Sequence, residues 1–291
     1  MQSEQSNSKA GLVFTSPYVI HLLVFFLYPV GFSLYLVVHR WDLITDPQYV
    51  GLRNFKYLMS DHLFWQALTN TLYFLAIHIP LQIIIALALA IALAKPLKGR
   101  VFFRATFFLP VVISGAAVTI LWQRLYSTEG GLINYVLSLV GIDAVPWLTD
   151  PGIAMPAIAI MATWKNLGLY IVFFLAGILA IPQPVYEAAK MEGASSWQEF
   201  RYITLPLLKP TMLLVVVLST LGGFNLFIEP YVMTGGGPLG STMSVVLYMY
   251  KQAFSFQHMG YAATLGFALA LIIMVCVFTQ KKYLDSERYY S

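Results

Sequence analysis

Runs of apolar residues about twenty long, each closed by a charge or a turn former, recur six times along the chain. They are Leu12 to Val38, ended by His39, Arg40, Trp41 and Asp42; Thr71 to Ala94, ended by Lys95-Pro96; and Phe107 to Tyr126, with Pro110 near its start. Then come Ile153 to Ile178, interrupted by Lys165 and Asn166; Met212 to about Met233, which carries Gly222-Gly223, Asn225 and Glu229; and Tyr261 to Thr279, closed by Lys281-Lys282. A hydrocarbon core of about 30 Å needs about 20 helical residues, so each run can cross a bilayer. The pattern predicts an all-α membrane protein with six transmembrane helices over residues 12–280, and polar tails at 1–11 and 281–291. The first run is longer than the ~7–15-residue core of a cleaved signal peptide and reads as a retained span.

Composition agrees with lipid as the main solvent. Of 291 residues 59% are hydrophobic and 10% charged, against about 25% charged in an ordinary soluble domain. The net charge of +4 comes with no clustered basic stripe, which argues against nucleic-acid binding. Six crossings put both termini on one side, with the second-to-third and fourth-to-fifth loops. That side holds Lys9, Lys95, Lys98, Arg100, Arg104, Lys190, Arg201, Lys209, Lys281, Lys282 and Arg288, eleven of the 17 Lys and Arg. The other side holds Arg40, Arg53, Lys56, Arg124 and Lys251, and Lys165 lies inside a span. Cytoplasmic loops carry the excess of Lys and Arg, so both termini are expected in the cytoplasm. The outer connection from Arg40 to Asn70 mixes aromatics with polar residues, as helices lying at the membrane interface do.

The loop between the fourth and fifth spans, Ile181 to Pro210, is long for a connector but is not composed like a disordered one. Pro184 suits a first helical turn, Glu187 follows near its positive end, Ala188-Ala189 favour continuation, and Gly193 supplies a stop. Ser196 and Glu199 have capping-box spacing for a second helix, which is expected to run through Phe200, Tyr202 and Ile203 until Pro206 breaks it. Two short helices bury little apolar surface by themselves. Tyr186, Met191, Trp197 and Phe200 therefore need cover, either from the chain's own membrane helices or from a partner.

Glu187-Ala188-Ala189, three residues, Gly193, nine residues, Ile203, one residue, and Leu205-Pro206 match the EAA motif over its full spacing. The chain resembles the membrane subunits of binding-protein-dependent ABC importers, and the Thr234-Gly235-Gly236-Gly237-Pro238 stretch resembles their carbohydrate and glycerol-phosphate subfamily. One departure is Glu192, where the subfamily usually has Asp. The resemblance implies that the 181–210 loop docks as a coupling helix on a cytoplasmic ABC ATPase dimer, which holds the ATP and Mg; this chain itself is expected to bind no cofactor. It also implies a second, non-identical permease subunit, an extracytoplasmic substrate-binding protein, a sugar-like solute, and a bacterial or archaeal cytoplasmic membrane.

Polar residues inside spans usually face a cavity or a partner. Lys165, Asn166 and, farther along, Glu229 stand in apolar runs, with Ser219, Gly222, Gly223, Asn225 and Tyr231 around them. Trp164, Tyr170 and Phe224 are candidates to stack on a sugar ring, while Asn166, Ser219 and Asn225 are candidates to bond its hydroxyls. In sugar permeases similar to this chain the substrate touches stretches matching Trp164 to Tyr170 and Ser219 to Ile228. The residues alone leave other roles open: packing for Trp164, close helix approach for Gly222-Gly223, and a partner-chain counter-charge for Lys165. Gly235-Gly236-Gly237-Pro238 is no phosphate loop, since the chain has no Gly-Lys pair; it reads as an outer turn, either plain or mobile enough to meet a binding protein. The five histidines lack metal-ligand spacing, Cys276 stands alone, and there is no HExxH or GxSxG pattern. A rival reading is an intramembrane enzyme acting on a lipid-linked substrate, with Lys165, Glu229 or a histidine as acid or base. A secondary transporter would ordinarily carry more spans and has no use for the EAA loop.

Overall fold

The computed structural model describes residues 14–95 and 99–284. The polar tail at 1–11, Lys9, Pro96, Lys98, Arg288 and the end of the 281–291 tail lie outside the described residues. The described chain is mainly helical. Five helices are long and apolar enough to cross a membrane, and a bent pair makes up to six.

Two compact units divide the contacts. The first joins residues up to Asp61 with 249–269. In it α1 (Phe14–Val37) leads into a two-stranded antiparallel ribbon of β1 (His39–Arg40) and β2 (Gln48–Tyr49), with His39 opposite Tyr49. The ribbon's connection is capped by Asp42, whose Oδ1 accepts from the Thr45 and Ile44 amides at 2.8 and 3.0 Å. Those donors hold its carboxyl below the usual carboxylate range. A short helix, α2 (Arg53–Ser60), follows, and its Asn54 donates to the Val37 and His39 carbonyls at 2.8 and 3.0 Å.

The second unit, residues 62–248 and 270–291, holds the remaining long spans. The elements are α3 (His62–Ala94), α4 (Arg100–Val112), α5 (Gly115–Leu125), α6 (Leu132–Leu139), α7 (Ala154–Leu179), α8 (Gln183–Met191) and α9 (Ser196–Glu199). Wider π-helical turns (Phe200–Thr204) and a short Leu205–Leu207 helix prolong α9. After these come α10 (Lys209–Phe224), α11 (Ile228–Met233), α12 (Val245–Tyr250) and α13 (Met259–Leu284); the first unit takes the last two residues of α12 and the start of α13. The core is α7, 61% of whose most apolar window is buried, compared with 6% for α1. It packs along α3, and the seam uses small residues: Ala67, Ala86 and Ala90 on α3, Ala154 and Ala159 on α7, all 0% exposed. Helices in lipid gain attraction mainly from close packing, and small side chains permit it.

Four expectations need correction. The second span does not begin at Thr71; its helix starts at His62, so the last part of the Arg40-to-Asn70 connection belongs to the span. Polar Gln66 and Asn70 are tolerated there because the chain supplies their partners, the Leu239, Gly240 and Met243 carbonyls at 2.7–3.3 Å. The third run is not one straight helix: α4 and α5 meet at 99° across Ile113-Ser114, both in extended conformations. Kinks this sharp favour Ser/Gly pairs, and Ser114-Gly115 is one. The capping box lies one residue earlier than Ser196 and Glu199. Ser195 Oγ accepts from the Gln198 amide and Gln198 Oε1 accepts from the Ser195 amide at 2.8 Å. Adjacent Ser-Ser and Gln-Glu pairs satisfy the spacing in either frame. Nor does Pro206 break the second loop helix. The π turns before it and the Leu205–Leu207 turn carry the chain past it, since a proline near a helical N-terminus leaves no amide unsatisfied.

Gly168 lets the backbones of α4 and α7 approach closely. A Cβ there would lie 2.3 Å from the Phe107 backbone carbonyl oxygen, whereas one at Gly222 would meet nothing within 4 Å. Gly168→Ala is expected to destabilise the purified protein by about 1–3 kcal/mol, the usual range for overpacking, and Gly222→Ala to leave thermal stability unchanged. Equal melting temperatures for both variants in detergent would show that α4 and α7 do not meet this closely.

Candidate functional site

The site lies where two spans carry residues that lipid would not accept. α10 ends at Phe224, and the chain passes through Asn225, Leu226 and Phe227 before α11 begins. The freed backbone groups find partners: the Asn225 amide bonds Gly222 O, the Leu226 amide bonds Gly223 O, and Ser244 Oγ donates to Leu226 O at 2.5 Å. An irregular backbone at membrane depth needs such partners.

Beside this break is a cavity of about 260 Å³. Phe74 and His78 of α3 line it together with Lys165, Asn166 and Tyr170 of α7, Ser219, Gly222 and Gly223 of α10, Asn225, and Ile228 and Glu229 of α11. Of the residues singled out in the sequence, Asn166, Tyr170, Ser219, Gly223, Asn225 and Glu229 meet on this one wall. Trp164 does not; it is 39% exposed and its ring lies 5.4 Å from that of Trp122 on α5. Phe224, at 1% exposed, is buried too deeply to stack on a solute. The glycine pair divides its work: a Cβ on Gly223 would strike Leu75, while Gly222 faces open space.

Asn166 and Asn225 each donate one amide proton to a carbonyl of their own helix, Ala162 O at 2.9 Å and Leu221 O at 2.8 Å. That fixes both carboxamides at the wall. Lys165 and Glu229, 64 positions apart in the chain, form an ion pair at 3.2 Å with side chains 16% and 12% exposed. The counter-charge of Lys165 is thus in its own chain. The ammonium also lies 2.9 Å from where a Gly115 Cβ would stand, so the pair ties α7 and α11 together over the α4–α5 bend.

His78 is a wall residue that sequence reasoning passed over, although a lone histidine in a span was the available signal. Thr163 Oγ1 donates to Ala159 O at 2.8 Å, so its single proton is used and His78 Nδ1 is the donor in their 2.8 Å contact. A second cavity, about 770 Å³, lies beyond α11 among Gln123, Arg124, Glu129, Thr149, Met233 and Thr234. Gln123 Nε2 donates to the Val232 and Met233 carbonyls at 3.1 and 3.2 Å, which leaves α11 as the partition between the two spaces. The glycine turn next to it is fastened in place: Thr234 and Thr242 hydroxyls meet at 2.6 Å, and Asn70 of α3 donates to Gly240 O. Gly235 and Gly236 adopt φ of +64° and +94°, where glycine is favoured.

The 181–210 loop is helix, turn, helix. Gly193, at φ +81°, closes α8 with a Schellman pair: its amide bonds Lys190 O and the Ala194 amide bonds Ala189 O, both at 3.0 Å. The motif residues face two ways. Glu187, Ala188 and Gly193 are exposed, and Met191 and Trp197 beside them are 90% and 69% exposed. Ala189, Ile203, Leu205 and Pro206 are half-buried, and Leu205 packs on the core of α3, α7 and α10. Tyr186 and Thr204 hydroxyls, 2.9 Å apart, link the two loop helices.

Apolar spans, a helix broken at membrane depth and a polar cavity beside the break are the features of a multi-pass membrane transport subunit. A family model described as the binding-protein-dependent transport system inner membrane component matches residues 63–286, and the chain belongs to that family. It is 38% identical over 276 residues to the lactose transport system permease protein of Rhizobium radiobacter, covering 93% of this chain and 92% of the relative. To the trehalose/maltose transport system permease protein of Thermococcus litoralis it is 35% identical over 274 residues, covering 94% and 92%. Its fold matches a chain in the crystal structure of a bacterial alginate ABC transporter bound to an alginate pentasaccharide-loaded periplasmic protein. The TM-score is 0.86 at 23% identity, over 99% of this chain and 98% of that one. The chain is therefore a transport subunit and not an enzyme.

Removing one member of a buried ion pair strands the other, at a cost of about 3–5 kcal/mol, whereas replacing both is often neutral. Glu229→Gln alone is expected to lower the melting temperature of the purified subunit clearly, and Lys165→Met with Glu229→Gln to restore most of the loss. An additive loss in the double variant would mean the two charges are not coupled.

Proposed function

We propose that this chain is one of two non-identical permease subunits of a sugar ABC importer in a bacterial or archaeal cytoplasmic membrane. Its solute is an oligosaccharide, monosaccharide or polyol, or a glycerol phosphate. The observation that carries the reading is the cavity at the α10 break, where aromatic, amide and hydroxyl groups gather between spans as they would around a sugar. The relatives named for lactose and for trehalose/maltose transport support the sugar class. The path runs along Asn166, Tyr170, Ser219, Gly223, Asn225 and Glu229, with Trp164 on the flank left open for the second permease chain.

In this reading there are six crossings, the bent α4–α5 pair counting as the third. Both termini are cytoplasmic, as the eleven Lys and Arg on that side argue. The membrane domain spans residues 12–280. The 181–210 loop seats Glu187, Ala188, Ala189 and Gly193 on a cytoplasmic ABC ATPase dimer that binds ATP and Mg, while Ile203, Leu205 and Pro206 root it in the spans. The exposed Met191 and Trp197 support a protein partner there. A substrate-binding protein delivers solute on the opposite side, by the cavity beyond α11.

Asn225→Ala is expected to raise the solute concentration for half-maximal uptake about tenfold in cells carrying the whole transporter, with assembly intact. Gly193→Asp is expected to leave membrane insertion unchanged and to abolish co-purification of the ATPase. Wild-type uptake by both variants would refute the assignment of path and loop alike.

A further inference from the structure

The buried stripe of α3 carries a polar residue that no described residue satisfies. Gln82 is 0% exposed, and neither its Nε2 nor its Oε1 has a hydrogen-bond partner among the described residues. A carboxamide taken from water without compensation destabilises the state that holds it, so such groups are rare in native interiors. Gln82 also has a definite address. It stands one helical turn from His78 on the cavity wall, one turn before Ala86 and two before Ala90, both fully buried. Near its first residues α3 is bonded to the glycine turn through Gln66 and Asn70, and at its other end Ile91, Ala94 and Lys95 face the 181–210 loop. From the cavity toward that loop, the α3 stripe reads His78, Gln82, Ala86, Ala90: a donor–acceptor side chain, then two methyl groups, packed on Leu167, Ile171 and Phe174 of α7.

We propose that Gln82 is a solute-binding residue of the inward leg of the path. When α3 and α7 part on that side, its amide exchanges hydrogen bonds with hydroxyls of the departing sugar, and Ala86 and Ala90 leave room for it. The orphaned amide then has a second role: it raises the energy of the closed seam, so that opening starts from a less stable arrangement. The assignment rests on the cavity being the solute path.

The test uses the complete transporter, with this chain, the second permease, the ATPase and the binding protein. Gln82→Leu keeps the volume and removes the unsatisfied amide. The melting temperature is expected to hold or rise by about 2–4 °C, while solute carried per ATP hydrolysed falls about tenfold. In a Cys276→Ser background, Gln82→Cys is expected to react with N-ethylmaleimide in the nucleotide-free, inward-open state and to be protected in the vanadate-trapped state. A lower melting temperature with unchanged uptake would make Gln82 a packing residue, and no labelling in either state would also overturn the proposal. Unchanged uptake in Gln82→Leu while Asn225→Ala still weakens uptake overturns the inward-leg assignment alone. Unchanged uptake in both overturns the cavity reading on which it rests.

Discussion

Everything distinctive here follows from the rule that a backbone in lipid must satisfy its own hydrogen bonds. Unbroken helix is the default answer, and α3 and α7 adopt it. A transport subunit nevertheless needs places where helices stop, because an intact apolar helix offers a solute nothing to bond. The chain meets both demands by breaking α10 only where other groups take over: glycine carbonyls for the Asn225 and Leu226 amides, and Ser244 for the Leu226 carbonyl. The α4–α5 bend lies against the same region, under the Lys165–Glu229 pair. The bend and the break are therefore gathered around one cavity.

How much of this was legible in the sequence depends on what each signal measures. Hydropathy located the spans because it measures solvent preference, and it missed the start of α3 because the polar His62, Gln66, Thr69 and Asn70 interrupt the apolar run there. It also could not see the 99° bend, since two apolar helices at an angle score like one. Polar residues in apolar runs led to Asn166, Tyr170, Ser219 and Asn225, which line the cavity. The same logic misplaced Phe224, whose ring is core, because aromatic character says nothing about which way a helix face turns. Pairing is the least readable property: no local pattern links Lys165 with Glu229, and a single glutamine within an apolar stretch gives no warning that it lacks a partner.

The loop shows how one motif can serve two surfaces. Its first half is held out by a Schellman turn, and its second half is sunk into the packed helices through Leu205 and through Leu208, which is 0% exposed. A spacing rule read from the chain treats these residues alike, whereas burial separates those left exposed from those that hold the loop in place.

That anchoring has a mechanical corollary. Leu208 sits at the foot of α10, and Asn225 sits just past its far end. Sixteen residues of helix make a rod about 24 Å long at about 1.5 Å per residue, so tilting its foot by about 5° sweeps the cavity end through about 2 Å. Hydrogen bonds weaken steeply over much smaller displacements. A rocking motion too small to disturb side-chain packing at the base is thus enough to carry the Asn225 carboxamide farther than a hydrogen bond tolerates, which makes α10 a lever with its fulcrum at Leu208.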